Sequence, residues 1–135
     1  MERPRVTGIG GIFFKARDPE ALGTWYRDKL GFDVEKWGGS QFFWNRRDAE
    51  GGAAYTVWNP FKESTEYFSP SERSYMINLR VDDLEAMLKH LKASGAHVLD
   101  RRDETEQGKF GYVLDPDGTL LELWEPAATD PALPK

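Results

Sequence analysis

The chain has 135 residues, the length of one ordinary domain, and its 18 basic and 23 acidic residues leave a formal net charge of −5. The absence of cysteine excludes disulfides and thiol catalysis, and an acidic chain has no basic surplus to neutralise nucleic acid or anionic membranes. The sequence has no apolar run long enough to cross a bilayer and no apolar signal-peptide core near its start, so we expect a cytoplasmic protein.

The first half of the chain predicts one strand, one helix and then three strands. Asp18 and Pro19 are typical of a helix start, and Gly31 is typical of a helix end. The segments with strand patterns are 8–16, 32–37, 41–44 and 53–58. The Gly38-Gly39 pair favours a hairpin turn between the second and third of these strands. Asn59-Pro60 predicts the end of the fourth.

The second half repeats this order. A helix with apolar residues at i, i+3, i+4 and i+7 opens at Asp82-Asp83 and stops at Gly95. Predicted strands at 97–100, 110–114 and 120–124 follow, and the sequence DPDG at 115–118 predicts a tight turn. Asp18-Pro-Glu-Ala-Leu recurs as Asp83-Leu-Glu-Ala-Met, and Trp58-Asn-Pro recurs as Trp124-Glu-Pro. These matches predict an α+β fold of two tandem βαβββ modules.

We place the first module, with its connecting segment, at residues 1–66 and the second at 67–135. Segment 59–74 has two prolines and no clear period, which indicates a connection between the modules. Its rings Phe61, Tyr67 and Phe68 are unusual in a solvated linker. They could pack against a sheet edge or a subunit interface, or they could form a lid over a pocket.

Three segments are similar to one known superfamily: LGF at 30–32, RVDDL at 80–84 and DPDGTLLELWEP at 115–126. Over residues 7–126 the chain resembles the vicinal oxygen chelate superfamily, which includes glyoxalase I, bleomycin-resistance proteins, extradiol dioxygenases and methylmalonyl-CoA epimerases. The resemblance implies one glyoxalase-like domain in which curled mixed sheets surround a cavity. It also implies a homodimer.

Metal-dependent members of that superfamily carry one ligand on the first strand and one on the last strand of each module. Carried over by position, these ligands fall at Gly11, Met76, Thr56 and Glu122. Of these four residues, only Glu122 has a side chain that binds divalent cations strongly. His90 lies off the apolar stripe of its helix, and His97 is at a strand start, so neither completes a site. We therefore expect a member without a metal ion or other cofactor.

Strand alternation then predicts what lines the cavity. If the four ligand positions face inward, so do their neighbours two residues away. The predicted ligand-binding residues are Phe13, Lys15, Thr56, Trp58, Met76, Asn78, Arg80 and Trp124. The opposite faces, 12/14/16, 77/79/81 and 121/123, are apolar and should pack on the helices. Aromatic walls with a few polar groups are typical of a small-molecule site.

Each polar candidate has a structural and a functional interpretation. Glu122 could pair with Arg80 or Lys15 without any chemistry, or it could act as a general acid or base. Arg80 and Asn78 could be structural, or they could orient a carboxylate or carbonyl of a ligand. The equivalent tryptophans, Trp58 and Trp124, could reflect symmetric packing or ring stacking on a ligand.

Four functions are compatible with these residues. The favoured one is sequestration of a small aromatic or amphipathic molecule in a metal-free cavity, as in bleomycin-resistance proteins. The second is a metal-free lyase or isomerase that uses Glu122. A metal-dependent glyoxalase or dioxygenase is disfavoured by the missing ligands. The fourth is a protein-interaction module with a filled cavity.

Overall fold

The structure, a computed structural model, describes residues 4–45 and 54–128, and these ranges form seven strands and two helices. The chain order is β1 (Val6–Ala16), α1 (Pro19–Leu30), β2 (Ser40–Phe43), β3 (Tyr55–Lys62), β4 (Tyr75–Val81), α2 (Leu84–Ala93), β5 (His97–Thr105), β6 (Gly108–Leu114) and β7 (Leu120–Pro126). Among the described residues, no helix is long and apolar enough to span a membrane. Ala53, at the predicted start of the fourth strand, lies outside the described ranges.

The strands form one open mixed sheet in the order β2-β3-β1-β4-β7-β6-β5. Within each module the first and last strands are parallel neighbours, β1 with β3 and β4 with β7. The two modules join through the antiparallel pair β1–β4, so they meet within a single chain. This arrangement confirms the α+β fold of two modules that contribute to a curled mixed sheet.

Both helices begin and end where their capping residues predict. The Asp18 carboxylate accepts a hydrogen bond from the Ala21 amide at 3.0 Å, and Gly31 ends α1 with a φ of 73°. Asp83 caps α2 through the Ala86 amide, also at 3.0 Å. The apolar stripe of α2 packs on the second module in a core of Val81, Leu84, Met87, Leu88, Val113 and Leu123.

The predicted strand at 32–37 is wrong. This segment joins no ladder, and its turn is closed by a hydrogen bond from the Gly38 amide to the Glu35 carbonyl at 2.9 Å. The turn therefore centres on residues 36 and 37 rather than on the glycine pair. Its apolar residues pack on α1 instead: the Phe32 ring lies 5.0 Å from that of Tyr26, and Val34 lies beside Gly23.

Strand β3 continues through Asn59-Pro60, so the predicted strand end there is wrong. β2 begins at Ser40, opposite Trp58, so from Asn59 onward β3 pairs with β1 only. Proline is tolerated on a sheet edge of this kind, because the side that lacks a partner strand needs no donor. The strand therefore extends into the segment that the sequence indicated as a connection.

The outer face of the first module is less covered than we expected from its apolar pattern. Ile12 was predicted to pack on a helix, but 47% of its surface is exposed, and Ile9 and Tyr75 on the sheet are also exposed. The reason is geometric: α1 contacts the β3 side of the module, and β1 and β4 lie at the centre of the sheet between the two helices.

Candidate functional site

A pocket of about 480 Å³ lies on the sheet face opposite the helices. Its walls are aromatic, and its polar groups are concentrated on β4, β5 and β7. The residues that line it include Phe13, Asn59, Tyr67, Asn78, Arg101, Asp103, Glu104, Glu122 and Trp124. Of the predicted ligand-binding residues, the structure brings Phe13, Asn78 and Trp124 to this pocket, together with Glu122.

Two predicted site residues on β3, Thr56 and Trp58, have side chains that do not face the pocket. Trp58 packs its ring 4.6 Å from Tyr26 of α1 and 5.1 Å from Phe32. The Thr56 hydroxyl donates to the Ile9 carbonyl at 2.6 Å and accepts from the Trp44 indole at 2.8 Å. The residues of β3 that line the pocket are Tyr55, Val57, Asn59 and Phe61, which alternate with the predicted ones.

The register of the sheet explains this error. Phe13 pairs with Asn59 in the first module, as Asn78 pairs with Glu122 in the second. Phe13 and Asn78 are equivalent in the sequence repeat, so Asn59 is the structural counterpart of Glu122. The sequence match between the two tryptophans placed that counterpart three residues too early, at Thr56. An odd shift in a strand moves every side chain to the other face.

Glu122 is the polar centre of the pocket, with only 2% of its surface exposed. Its carboxylate accepts hydrogen bonds from the Asn78 amide at 2.7 Å, the Tyr67 hydroxyl at 2.5 Å and the Tyr112 hydroxyl at 2.9 Å. Neither of the predicted ion pairs, with Arg80 or with Lys15, is among these contacts. A buried carboxylate depends on such donors for its solvation.

The network extends from Glu122 to the pocket rim. The Tyr112 hydroxyl also lies 2.6 Å from an oxygen of Asp103, so its single proton is shared between two carboxylates. Arg101 lies over the rings of Tyr67 and Tyr112, at 4.4 and 4.1 Å from their centroids, with its Nε 3.4 Å from Asp103. These contacts connect the buried carboxylate to a partly exposed ion pair.

Burial, followed by the charge of the Glu122 carboxylate, raises the pKa of both Tyr67 and Tyr112 well above that of a free phenol. Hydrogen bonds act in the same direction, from Tyr67 to Glu122 and from Tyr112 to Asp103. Both phenols therefore remain protonated donors at neutral pH.

We predict that the folded protein loses stability at alkaline pH. The unfolded phenols ionise near pH 10.0, and those of the folded state hold their protons to higher pH. The stabilising contribution is therefore complete below pH 10.0 and is lost as pH rises above it. In a spectroscopic titration, Tyr67 and Tyr112 should become tyrosinate only as the chain unfolds. Ionisation of both while the fold is intact would contradict the network, and Tyr67→Phe/Tyr112→Phe is the control.

Three other predicted residues lie beside the pocket without lining it. Lys15 places its ammonium 5.9 Å from the Phe68 ring centroid, and Met76 is fully buried in a core with Phe68 and Tyr112. The Arg80 guanidinium lies between two tryptophan rings, 5.0 Å from Trp44 and 4.9 Å from Trp124. These residues support the walls of the pocket.

The positions that would hold a divalent cation do not provide a matching set of donors. Gly11 has no side chain, Met76 is packed in the core, and Thr56 faces away from the pocket. The corrected counterpart, Asn59, adds only a neutral amide to the Glu122 carboxylate. In residues 4–45 and 54–128, no group of three or more histidine, cysteine, aspartate or glutamate side chains is placed to bind a metal ion.

Several pocket residues were missed by the sequence analysis. Arg101 and Asp103 lie on β5 beyond its predicted end at residue 100, because that strand continues to Thr105. Tyr67 was noted only as one of the aromatic residues in segment 59–74. Its hydroxyl group, on a segment that could cover a pocket, was the available signal. Asn59 could have been found by testing the repeat at other offsets.

Residues 11–124 match the family model described as "Glyoxalase-like domain", and the chain belongs to that family. The resemblance to the vicinal oxygen chelate superfamily is therefore confirmed. No curated protein sequence matches the chain.

Solved structures of the same superfamily share the fold. A variant of methylmalonyl-CoA epimerase from Streptomyces coelicolor, in complex with 2-nitronate-propionyl-CoA, is 24% identical with a TM-score of 0.59, over 93% of this chain and 98% of that one. The epimerase from Mycobacterium tuberculosis is 20% identical with a TM-score of 0.58, over 94% and 93%. A glyoxalase/bleomycin resistance protein/dioxygenase superfamily member from Vibrio splendidus 12B01 is 16% identical with a TM-score of 0.51, over 89% and 97%. At these identities the likeness concerns the fold.

Proposed function

We propose that this chain binds a small aromatic or amphipathic molecule in the pocket, without a metal ion, in a sequestration or resistance role. The observation that carries the proposal is the composition of the pocket: rings such as Phe13, Phe110 and Trp124 form its walls, around the buried Asn78 and Glu122. Apolar walls with a few fixed polar groups suit an organic ligand of moderate size.

A fluorescence titration tests this proposal. Trp124 lines the pocket, so a ligand that stacks on it should change tryptophan emission. We expect saturable 1:1 binding of a neutral aromatic probe, 2-naphthylmethanol, with the same affinity before and after dialysis against EDTA. Trp124→Phe, which keeps an aromatic wall, identifies the reporting ring. A titration without saturation, or binding that depends on an added divalent cation, would refute the proposal.

The second candidate is a metal-free lyase or isomerase with Glu122 as general acid or base. The observation that favours it is the chain of short contacts from Glu122 through Tyr67 and Tyr112 to Asp103, along which a proton could move. The structural alternative is that the same contacts only solvate a buried carboxylate.

Glu122→Gln separates the two candidates. Glutamine keeps the shape of the side chain and can accept from Asn78, but it cannot take up a proton. If the chain is an enzyme, we expect turnover to fall at least about a hundredfold, the usual contribution of a general acid or base, while the substrate still binds. Unchanged turnover would reject the catalytic role of Glu122. Glu20→Gln, exposed on α1 on the opposite side of the sheet from the pocket, is the matched control.

The proposal includes a cytoplasmic homodimer. Support for the dimer comes from the exposed apolar side chains on the outer face of the first module, of which Ile9 and Ile12 are about half exposed. Light scattering should then give about twice the chain mass of 15.4 kDa. A mass of one chain at micromolar concentration would contradict the dimer.

A further inference from the structure

Resting on the proposed function, we infer that the pocket selects an organic cation: an aromatic or amphipathic body that carries a protonated amine or a similar positively charged donor. Three independent features of the pocket lead to this ligand class. They are an unpartnered acceptor in its floor, an excess of negative charge around it, and walls made of aromatic rings.

The acceptor is Oδ1 of Asn78. This residue is only 2% exposed and lines the pocket, and its Oδ1 has no hydrogen-bond partner among the described residues. The orientation of the amide is fixed because the Glu122 carboxylate needs the NH2 group as a donor, at 2.7 Å. A buried acceptor without a partner costs free energy that a donor on a ligand would recover.

Gly10 lets the Asn78 amide and the Trp124 ring pack closely against the backbone of β1. A methyl group at Gly10 would lie 2.2 Å from Asn78 Oδ1 and 2.8 Å from the Trp124 ring. The Glu122 carboxylate accepts from the other end of the same amide and also lines the pocket, so a charged donor bound near Asn78 would be close to a carboxylate.

The charges that line the pocket are unequal. Asp103, Glu104 and Glu122 supply three carboxylates, and Arg101 supplies the one cation among the described lining residues. The Arg101 guanidinium is directed to Asp103 and to the Tyr67 carbonyl, which accepts from its Nη1 at 3.0 Å. The local field therefore favours a positively charged ligand.

The walls suit the same ligand. Phe110 and Trp124 stack with parallel planes, 6.1 Å between centroids, and Phe13, Tyr55 and Phe61 complete the aromatic surface. The faces of aromatic rings attract cations, most strongly where water is displaced. The cations of Arg80 and Lys15 lie against Trp124 and Phe68 without lining the pocket.

A series of three probes with one naphthylmethyl or naphthoyl body tests the inference by fluorescence titration at pH 7. The probes are 2-naphthylmethylamine, which is protonated, 2-naphthylmethanol, which is neutral, and 2-naphthoate, which is anionic. We expect the amine to bind at least roughly tenfold more tightly than the alcohol, with the carboxylate weakest. Equal binding of amine and alcohol, or tighter binding of the carboxylate, would overturn the cation preference and leave the proposed function standing. Failure of all three probes to bind would overturn both.

Variants show whether the preference arises in the pocket. Glu104→Gln should weaken binding of the amine several-fold more than binding of the alcohol, because it removes one charge from the pocket lining. Glu20→Gln makes the same change in net charge on α1, on the opposite side of the sheet, and should affect neither probe. An equal effect of the two variants on the amine would attribute the preference to overall protein charge and overturn the inference.

Discussion

Phe68→Ala should lower the free energy of unfolding by about 3–5 kcal/mol, the usual cost of a fully buried phenylalanine. Phe68 has no exposed surface and packs with Met76, Tyr112 and Leu120 in one buried cluster. It also holds the connection between the modules, because its ring meets those of Phe61 and Tyr67. We expect a lower urea midpoint and weaker ligand binding from the same substitution.

Phe42→Ala is the matched control for Phe68→Ala. Phe42 lies in β2 with 46% of its surface exposed, so its removal leaves little cavity. Its loss should cost about 1 kcal/mol or less in the same urea titration. Similar losses for the two variants would show that Phe68 is not part of a packed core, and the position of the connection over the pocket would then be wrong.

Gly10→Ala should weaken binding at least about tenfold, because the added methyl group fills the floor of the pocket. Its Cβ would lie within 3.0 Å of Asn78 Oδ1 and of the rigid Trp124 ring, and both side chains are buried. Either the side chains move into the pocket or the strand shifts. We also expect a loss of about 1–3 kcal/mol in stability from this overpacking.

Gly23→Ala provides the control for Gly10→Ala. Gly23 lies within α1, where an added Cβ would find its nearest neighbour at an ordinary 3.5 Å from Val34. Alanine favours the helix, so stability should rise by about 0.5–1 kcal/mol and binding should not change. Tight binding by Gly10→Ala, measured with the same 2-naphthylmethanol probe, would place the ligand outside this pocket.

Local signals in the sequence predicted much of the fold. Asp18, Asp83 and Gly31 cap the helices as expected, and Asp115 closes the predicted turn by accepting from the Asp117 and Thr119 amides at 2.9 Å. The repeat predicted that two similar modules would form the sheet. These features depend on residues close together in the chain, whose preferences the sequence states directly.

The candidate site was predictable only in part, because it depends on register and on distant contacts. Asn78 and Glu122 were found through strand alternation and resemblance. Thr56 and Trp58 were assigned to the wrong face of β3. The two tryptophans are equivalent in the sequence repeat, but they do not occupy equivalent positions in the strand pairing. The contacts of Tyr67 with Glu122, 55 residues apart, follow from the path of the connection over the pocket, which no local pattern fixes.

Native mass spectrometry of the chain after dialysis against EDTA tests the central claim, that the pocket binds an organic molecule without a metal ion. The chain is mixed with the three naphthalene probes and sprayed from a volatile buffer. We predict an adduct of one probe molecule per chain that disappears when the protein is denatured. Adducts that form only after a divalent cation is restored, with a matching stoichiometric gain in mass, would contradict the claim.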